Sequence, residues 1–90
     1  MKQKTKLEDK VSVVKQDWEE SERDWGVRPD GYSLHKTVED CSNFIKEYWD
    51  SMPDAIPDEY SRPCGNPYLL DVSKDIYRKI TRSKNGIRLS

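Results

Sequence analysis

Between Thr37 and Pro53 apolar side chains recur at three- and four-residue steps, as Val38, Cys41, Ile45, Tyr48 and Met52, with Phe44 and Trp49 alongside. Asp40, Asn43, Lys46, Glu47 and Asp50 take the other side, so the stretch reads as an amphipathic helix that must find a surface to cover. Thr37 can cap its first turn, Glu39 and Asp40 suit the positive end of its dipole, and Pro53 closes it. A second helix follows the same logic over SKDIYRKITRSKNG. Ser73 is its N-cap and Asn85-Gly86 its stop. Ile76, Tyr77 and Ile80 form the apolar side, and Lys74, Arg78, Lys79, Arg82 and Lys84 the exposed one.

Strands must supply the surface. VSVVKQDW places Val14, Gln16 and Trp18 on one face and Val11, Val13 and Lys15 on the other. Arg28-Pro29-Asp30-Gly31 reads as a tight turn, because Pro29 fixes its own φ and Gly31 accepts a positive one. Tyr32, Leu34 and Lys36 then alternate with Ser33, His35 and Thr37, which predicts a second strand paired antiparallel with the first. Residues 53–67 hold four of the five prolines, a composition that predicts a loop of about fifteen residues pinned by Ile56 and Tyr60. Tyr68, Leu70 and Val72 make a third strand, and Ile87 and Leu89 a short terminal one. The order β-β-α-loop-β-α with a terminal β is that of a small α+β domain: three to four antiparallel or mixed strands with both helices on one face. The polar, lysine-rich residues 1–10 are expected to be a flexible basic arm, leaving 11–90 as the single domain.

With 37% charged and 33% hydrophobic residues, the chain approaches the composition of disordered segments. Nine aromatic residues argue for a core built of few, large side chains. No run is long and apolar enough for a membrane span, and MKQKTKLEDK lacks the apolar centre of a signal peptide, so a cytoplasmic location is expected. Cys41 and Cys64 are then expected as thiols. Together with His35, the single histidine, they fall short of the four ligands of a structural zinc, so no metal or other cofactor is expected.

Charge is unevenly placed. Residues 1–16 carry five lysines against two acids, 17–59 thirteen acids against four bases, and 60–90 seven bases against two acids. The acidic middle suggests a face that engages a protein partner with a basic surface, although such charges can also screen one another within the fold. The partner-binding candidates are Trp18, Trp25, Tyr32 and Tyr60 as aromatic anchors, Arg28 and Arg62 as directional donors, and Glu19, Glu20, Glu22, Asp24, Asp30, Asp58 and Glu59 as the charged rim. No catalytic residues are assigned. An alternative is a nucleotide or other small phosphorylated ligand held by Arg28, Arg62 and an aromatic ring. Another is a metal-dependent hydrolase using the Glu19–Asp24 carboxylates. The basic second helix suits a phosphate backbone, but the acidic middle repels one, so nucleic acid is not expected as the direct ligand. A homodimer follows if the aromatic surface exceeds what one core hides.

The stretches WGVRPDGYSLH and EYWDSMPDAIPDEYSRP resemble those of small accessory proteins of bacteria and their viruses, over about residues 11–89. The resemblance carries no activity to any residue. It implies a context, for which inhibition of a host nucleic-acid-handling or defence complex is the natural form of a binding role.

Overall fold

The computed structural model describes residues 10–22, 26–55, 57 and 59–90. At its centre, β1 (Lys10–Glu22) carries two adjacent valines, Val13 and Val14, both buried. Successive strand side chains point opposite ways, so both faces of β1 must be covered. β2 (Gly26–His35) pairs antiparallel on one side of it and β3 (Glu59–Ser73) on the other, while β4 (Ile87–Leu89) pairs antiparallel with Tyr32–Leu34 of β2. The sheet order is β3-β1-β2-β4.

Each face has its own helix. Val13, Leu34 and Val72 meet Ile80 of α2 (Lys74–Arg82), with Tyr32, Leu70, Ile76, Tyr77, Ile87 and Leu89 packed around them. Burying Ile80 alone contributes about 1.5–3 kcal/mol. On the opposite face Gln16, Trp18, Ser33 and His35 lie beneath Cys41, Phe44 and Tyr48 of α1 (Val38–Asp50). The fold is therefore α+β, a four-stranded antiparallel sheet with two helices. Those helices flank the sheet instead of sharing a face, because β1 and β2 bury side chains in both alternation phases. Both expected caps are present: Thr37 Oγ1 accepts from the Asp40 N–H at 3.0 Å and Ser73 Oγ from the Ile76 N–H at 3.3 Å.

Two local expectations are corrected. Arg28-Pro29-Asp30-Gly31 is not the hairpin turn. Glu22 already pairs with Gly26, so these four residues lie within the hairpin's second strand, and Gly31 (φ +76°) serves a bulge inside β2, where Tyr32 pairs with Asp17 but Pro29 with Glu19. A left-handed glycine meets the backbone demand of a bulge as well as that of a turn. Residues 59–67, expected to be loop, belong to β3. Proline is tolerated because β3 is an edge strand with an unpaired outer side. Its surplus residues form a wide bulge: Lys15 pairs with Tyr68 and Asp17 with Cys64, leaving Gly65, Asn66 and Pro67 opposite Gln16 alone. The buried Gln16 amide closes this bulge, its Nε2 donating to the carbonyls of Asp17, Cys64 and Gly65 at 2.9–3.1 Å. Ile56, expected to pin the loop, and the arm over residues 1–9 lie outside the described residues. Val38 is 58% exposed and takes no part in the helix contact with the sheet.

Candidate functional site

A chain of hydrogen bonds runs beneath α1. Trp18 Nε1 donates to Ser33 Oγ at 2.8 Å, Ser33 Oγ lies 2.7 Å from His35 Nε2, and His35 Nδ1 lies 2.7 Å from the Asn85 carbonyl. That carbonyl can only accept, so the network places the proton on Nδ1 and leaves Nε2 to accept from the Ser33 hydroxyl. Burial lowers the His35 pKa, against the pull of the Asn85 carbonyl and Asp40, and keeps the ring neutral. A serine beside a histidine has the spacing of a nucleophile and its base. Here both side chains are fully buried and Ser33 is also engaged by Trp18, so the pair ties β1, β2 and the segment before β4 together. His35 is thus interior.

Trp18 belongs to the same interior. It is 1% exposed, edge-on to Phe44 and Tyr48, with the Arg88 guanidinium 4.4 Å over its ring. The expectation of an exposed indole anchor is corrected: the face carrying Trp18 is the one that α1 covers. Tyr32 likewise packs against the other core, under Lys15. Asp24, Trp25 and Asp58 lie outside the described residues.

The remaining candidates gather at the Glu22 end of the sheet. Most of their charges are already met. Arg62 Nε donates to Glu19, and Arg28 donates to Glu20 at 2.7 and 2.9 Å and to Glu22 at 2.8 Å. Arg88 reaches the Asp30 carboxylate at 3.0 Å and its carbonyl at 2.7 Å, and Ser61 Oγ also donates to Asp30. The guanidinium of Arg62 holds the Glu19 carboxyl below its ordinary range, and Glu20 with Glu22 holds Arg28 above its own. Arg28 and Arg62, the two guanidinia read as donors, thus both pair with carboxylates.

Alternation also separates the carboxylates. Glu20 and Glu22 share a face, whereas Glu19 points to the other with Arg62. Among the described residues no three acids, cysteines or histidines converge as metal ligands. What does converge, among the described residues, is a cluster of three glutamates around one arginine. Glu22 on β1 stands directly opposite Glu59 on β3, Glu20 is its neighbour on the same face, and the single Arg28 interacts with all three. Beside them Tyr48 donates to the Ser61 carbonyl at 2.5 Å, and the rings of Tyr48, Trp49 and Tyr60 meet edge-on in series. Trp49, 37% exposed, was read from its helical spacing as core; its place at the end of α1 brings it to the rim instead.

Among the described residues no helix covers the other face of this end. There Asp17, Glu19, Val27, Pro29, Gly31 and Cys64, together with Trp18 and Arg28, border an open groove of about 440 Å3. Val27 is half exposed and Cys64 is a free, exposed thiol whose pKa the Glu19 carboxylate raises. Neither was a candidate from sequence. A signal for Val27 existed, since it is an apolar residue isolated between polar neighbours and turn formers, but it indicates no ligand.

This architecture defines a small α+β domain with a reinforced, asymmetric sheet end. Compared with known protein families, curated proteins and solved structures, the chain matches none of them. Among the described residues no helix is long and apolar enough to cross a membrane.

Proposed function

We propose that this chain is a non-enzymatic protein-binding module that receives a basic surface on Glu20, Glu22 and Glu59, with Trp49 and Tyr60 as the adjacent aromatic rim. The observation that carries the reading is the Glu22–Glu59 pair. Like charges directly opposite in a sheet are destabilising, and among the described residues Arg28 is shared by all three glutamates. Such local conflict with folding rules is expected where a site serves a ligand. A cationic side chain from a partner relieves the conflict, and the charge excess accelerates the encounter.

The specific form of the role is inhibition: carboxylates occupy a site on a partner that otherwise takes phosphates, in the bacterial cytoplasm, in keeping with the phage-accessory resemblance. The test is a pull-down from bacterial extract with the wild-type chain and with Glu20→Gln, Glu22→Gln and Glu59→Gln combined. The wild type retains a basic protein that the variant loses. Equal recovery by both counts against the reading.

A further inference from the structure

His35 is fully buried, yet its cover on one side is slight. Asn85 holds the ring at Nδ1 through its backbone carbonyl, 2.7 Å away, and Gly86 lies so close that a side-chain carbon there would stand 2.2 Å from the same nitrogen. Both belong to the segment 83–89, which contains β4. Among the described residues that segment is held chiefly by three residue pairs with β2, by Ile87 and Leu89 against the core, and by two ion pairs, Lys84 with Glu47 at 2.8 Å and Arg88 with Asp30 at 3.0 Å. The Lys84 pair is exposed and contributes little. An open hollow of about 380 Å3, bordered by Phe44, Glu47, Tyr48 and Arg88, separates β4 from α1, so the segment does not pack continuously on the helix.

The hydrogen bonds beneath the segment run in a direction that one proton would reverse. With a neutral ring the Trp18 indole donates to Ser33 Oγ, the Ser33 hydroxyl to His35 Nε2, and His35 Nδ1 to the Asn85 carbonyl, so each hydrogen has an acceptor. A charged ring carries N–H on both nitrogens. Ser33 Oγ then faces two donors, its own hydrogen loses Nε2, and a cation sits in the interior. Around the ring stand Asp40 and Phe44 of α1, Val14 opposite it on β1, Ser33 on β2, and Asn85 and Gly86. Of these only Asp40 is charged; it favours the proton, but burial outweighs it.

We propose that residues 83–89 form an acid-released strap: His35 keeps it closed while the ring is neutral, and a protonated ring reaches water by lifting β4 from β2 ahead of general unfolding. His35 is the single histidine, and no other type of side chain has its ordinary pKa between pH 5 and 8. Lifting β4 takes Arg88 off both Trp18 and Asp30. Acid thereby opens the tryptophan to solvent and strips Asp30 of its guanidinium.

The test is amide exchange by NMR on the full, isotope-labelled chain from pH 7.5 to 5.5, with rates corrected for the intrinsic effect of pH. The hydrogen-bonded amides between β4 and β2 are expected to be less protected than those of Val13 and Val14 at every pH. They are expected to lose up to about tenfold of their protection over the range, the ratio of charged to neutral ring one unit below the ordinary 6.5. His35→Asn keeps an N–H for the Asn85 carbonyl and cannot titrate, so its β4 protection should be flat with pH. Flat β4 protection in the wild type means that the proton reaches the ring only through general unfolding, and overturns the strap. Equal protection of β4 and β1 at each pH overturns it as well, as does a slope that survives in His35→Asn. If that variant does not fold, the wild-type comparison decides alone.

Discussion

Arg88 lies with its guanidinium 4.4 Å from the centre of the Trp18 ring while it donates to the carbonyl and carboxylate of Asp30. One residue of a three-residue strand thereby closes the tryptophan against solvent and fixes the β2 bulge. Arg88→Ala should lower unfolding free energy by about 1–2 kcal/mol. Arg88→Lys should recover only part of that loss, because an ammonium cannot stack and donate in the same plane. Urea unfolding followed by tryptophan fluorescence measures both.

Acid should weaken the fold in two windows. His35 has a folded pKa below its ordinary 6.5, so the unfolded chain binds the proton more readily and stability falls as pH drops below about 6.5. Glu19 and Glu47, held low by Arg62 and Lys84, add a second loss as pH falls below their ordinary 4.5. Melting temperature against pH should show both slopes. The His35 ring should read by nitrogen NMR as the neutral Nδ1–H tautomer at pH 6.5; a charged ring there would contradict the buried chain of hydrogen bonds.

Gln16→Leu keeps the volume and removes the amide that three carbonyls share. It should cost about 1–3 kcal/mol, the range for buried acceptors left without a donor, and the amides of Gly65 and Asn66 should exchange faster with solvent. Unchanged exchange would show that the β3 bulge holds itself.

Gly86 has φ +138°, and a side-chain carbon there would stand 2.2 Å from His35 Nδ1. Gly86→Ala should therefore combine backbone strain of about 1–3 kcal/mol with displacement of the histidine. Thermal unfolding measures the loss, and the nitrogen spectrum of His35 should change with it.

The two thiols should behave differently toward a disulfide reagent. Cys64 is exposed and Cys41 buried, so one equivalent should react in the native chain. Glu19→Gln should speed that reaction near pH 8, since the Glu19 carboxylate disfavours the Cys64 thiolate. Cys41 should react only after denaturation.

The helices and their caps were legible because periodicity, Thr37 and Ser73 are local signals, and Ile87–Leu89 was legible from its alternation. The extent of β3 was not. Proline excludes a central strand but not an edge, and which strand forms the edge is decided by pairing between distant segments. Arg28-Pro29-Asp30-Gly31 misled for a related reason, since the positive φ of Gly31 serves a bulge as readily as a turn. The two-sided sheet was written in the adjacent Val13 and Val14, both apolar in opposite phases. At the proposed site, charge alone pointed to the acids, but their division by alternation and their capture by Arg28 and Arg62 depend on register. Trp18 was taken for a surface anchor because a sequence does not say which face of its strand a helix will cover.

With a helix docked on each side of β1, neither helix has anything to dock on until β1 has met β3, through contacts such as Val11 with Val72 and Val13 with Leu70. Those partners are far apart along the chain, so closing that loop is the slow event and helix docking follows quickly behind it. Refolding should be a single phase whose rate responds to changes in β1 and β3 and hardly at all to changes on the solvent side of either helix.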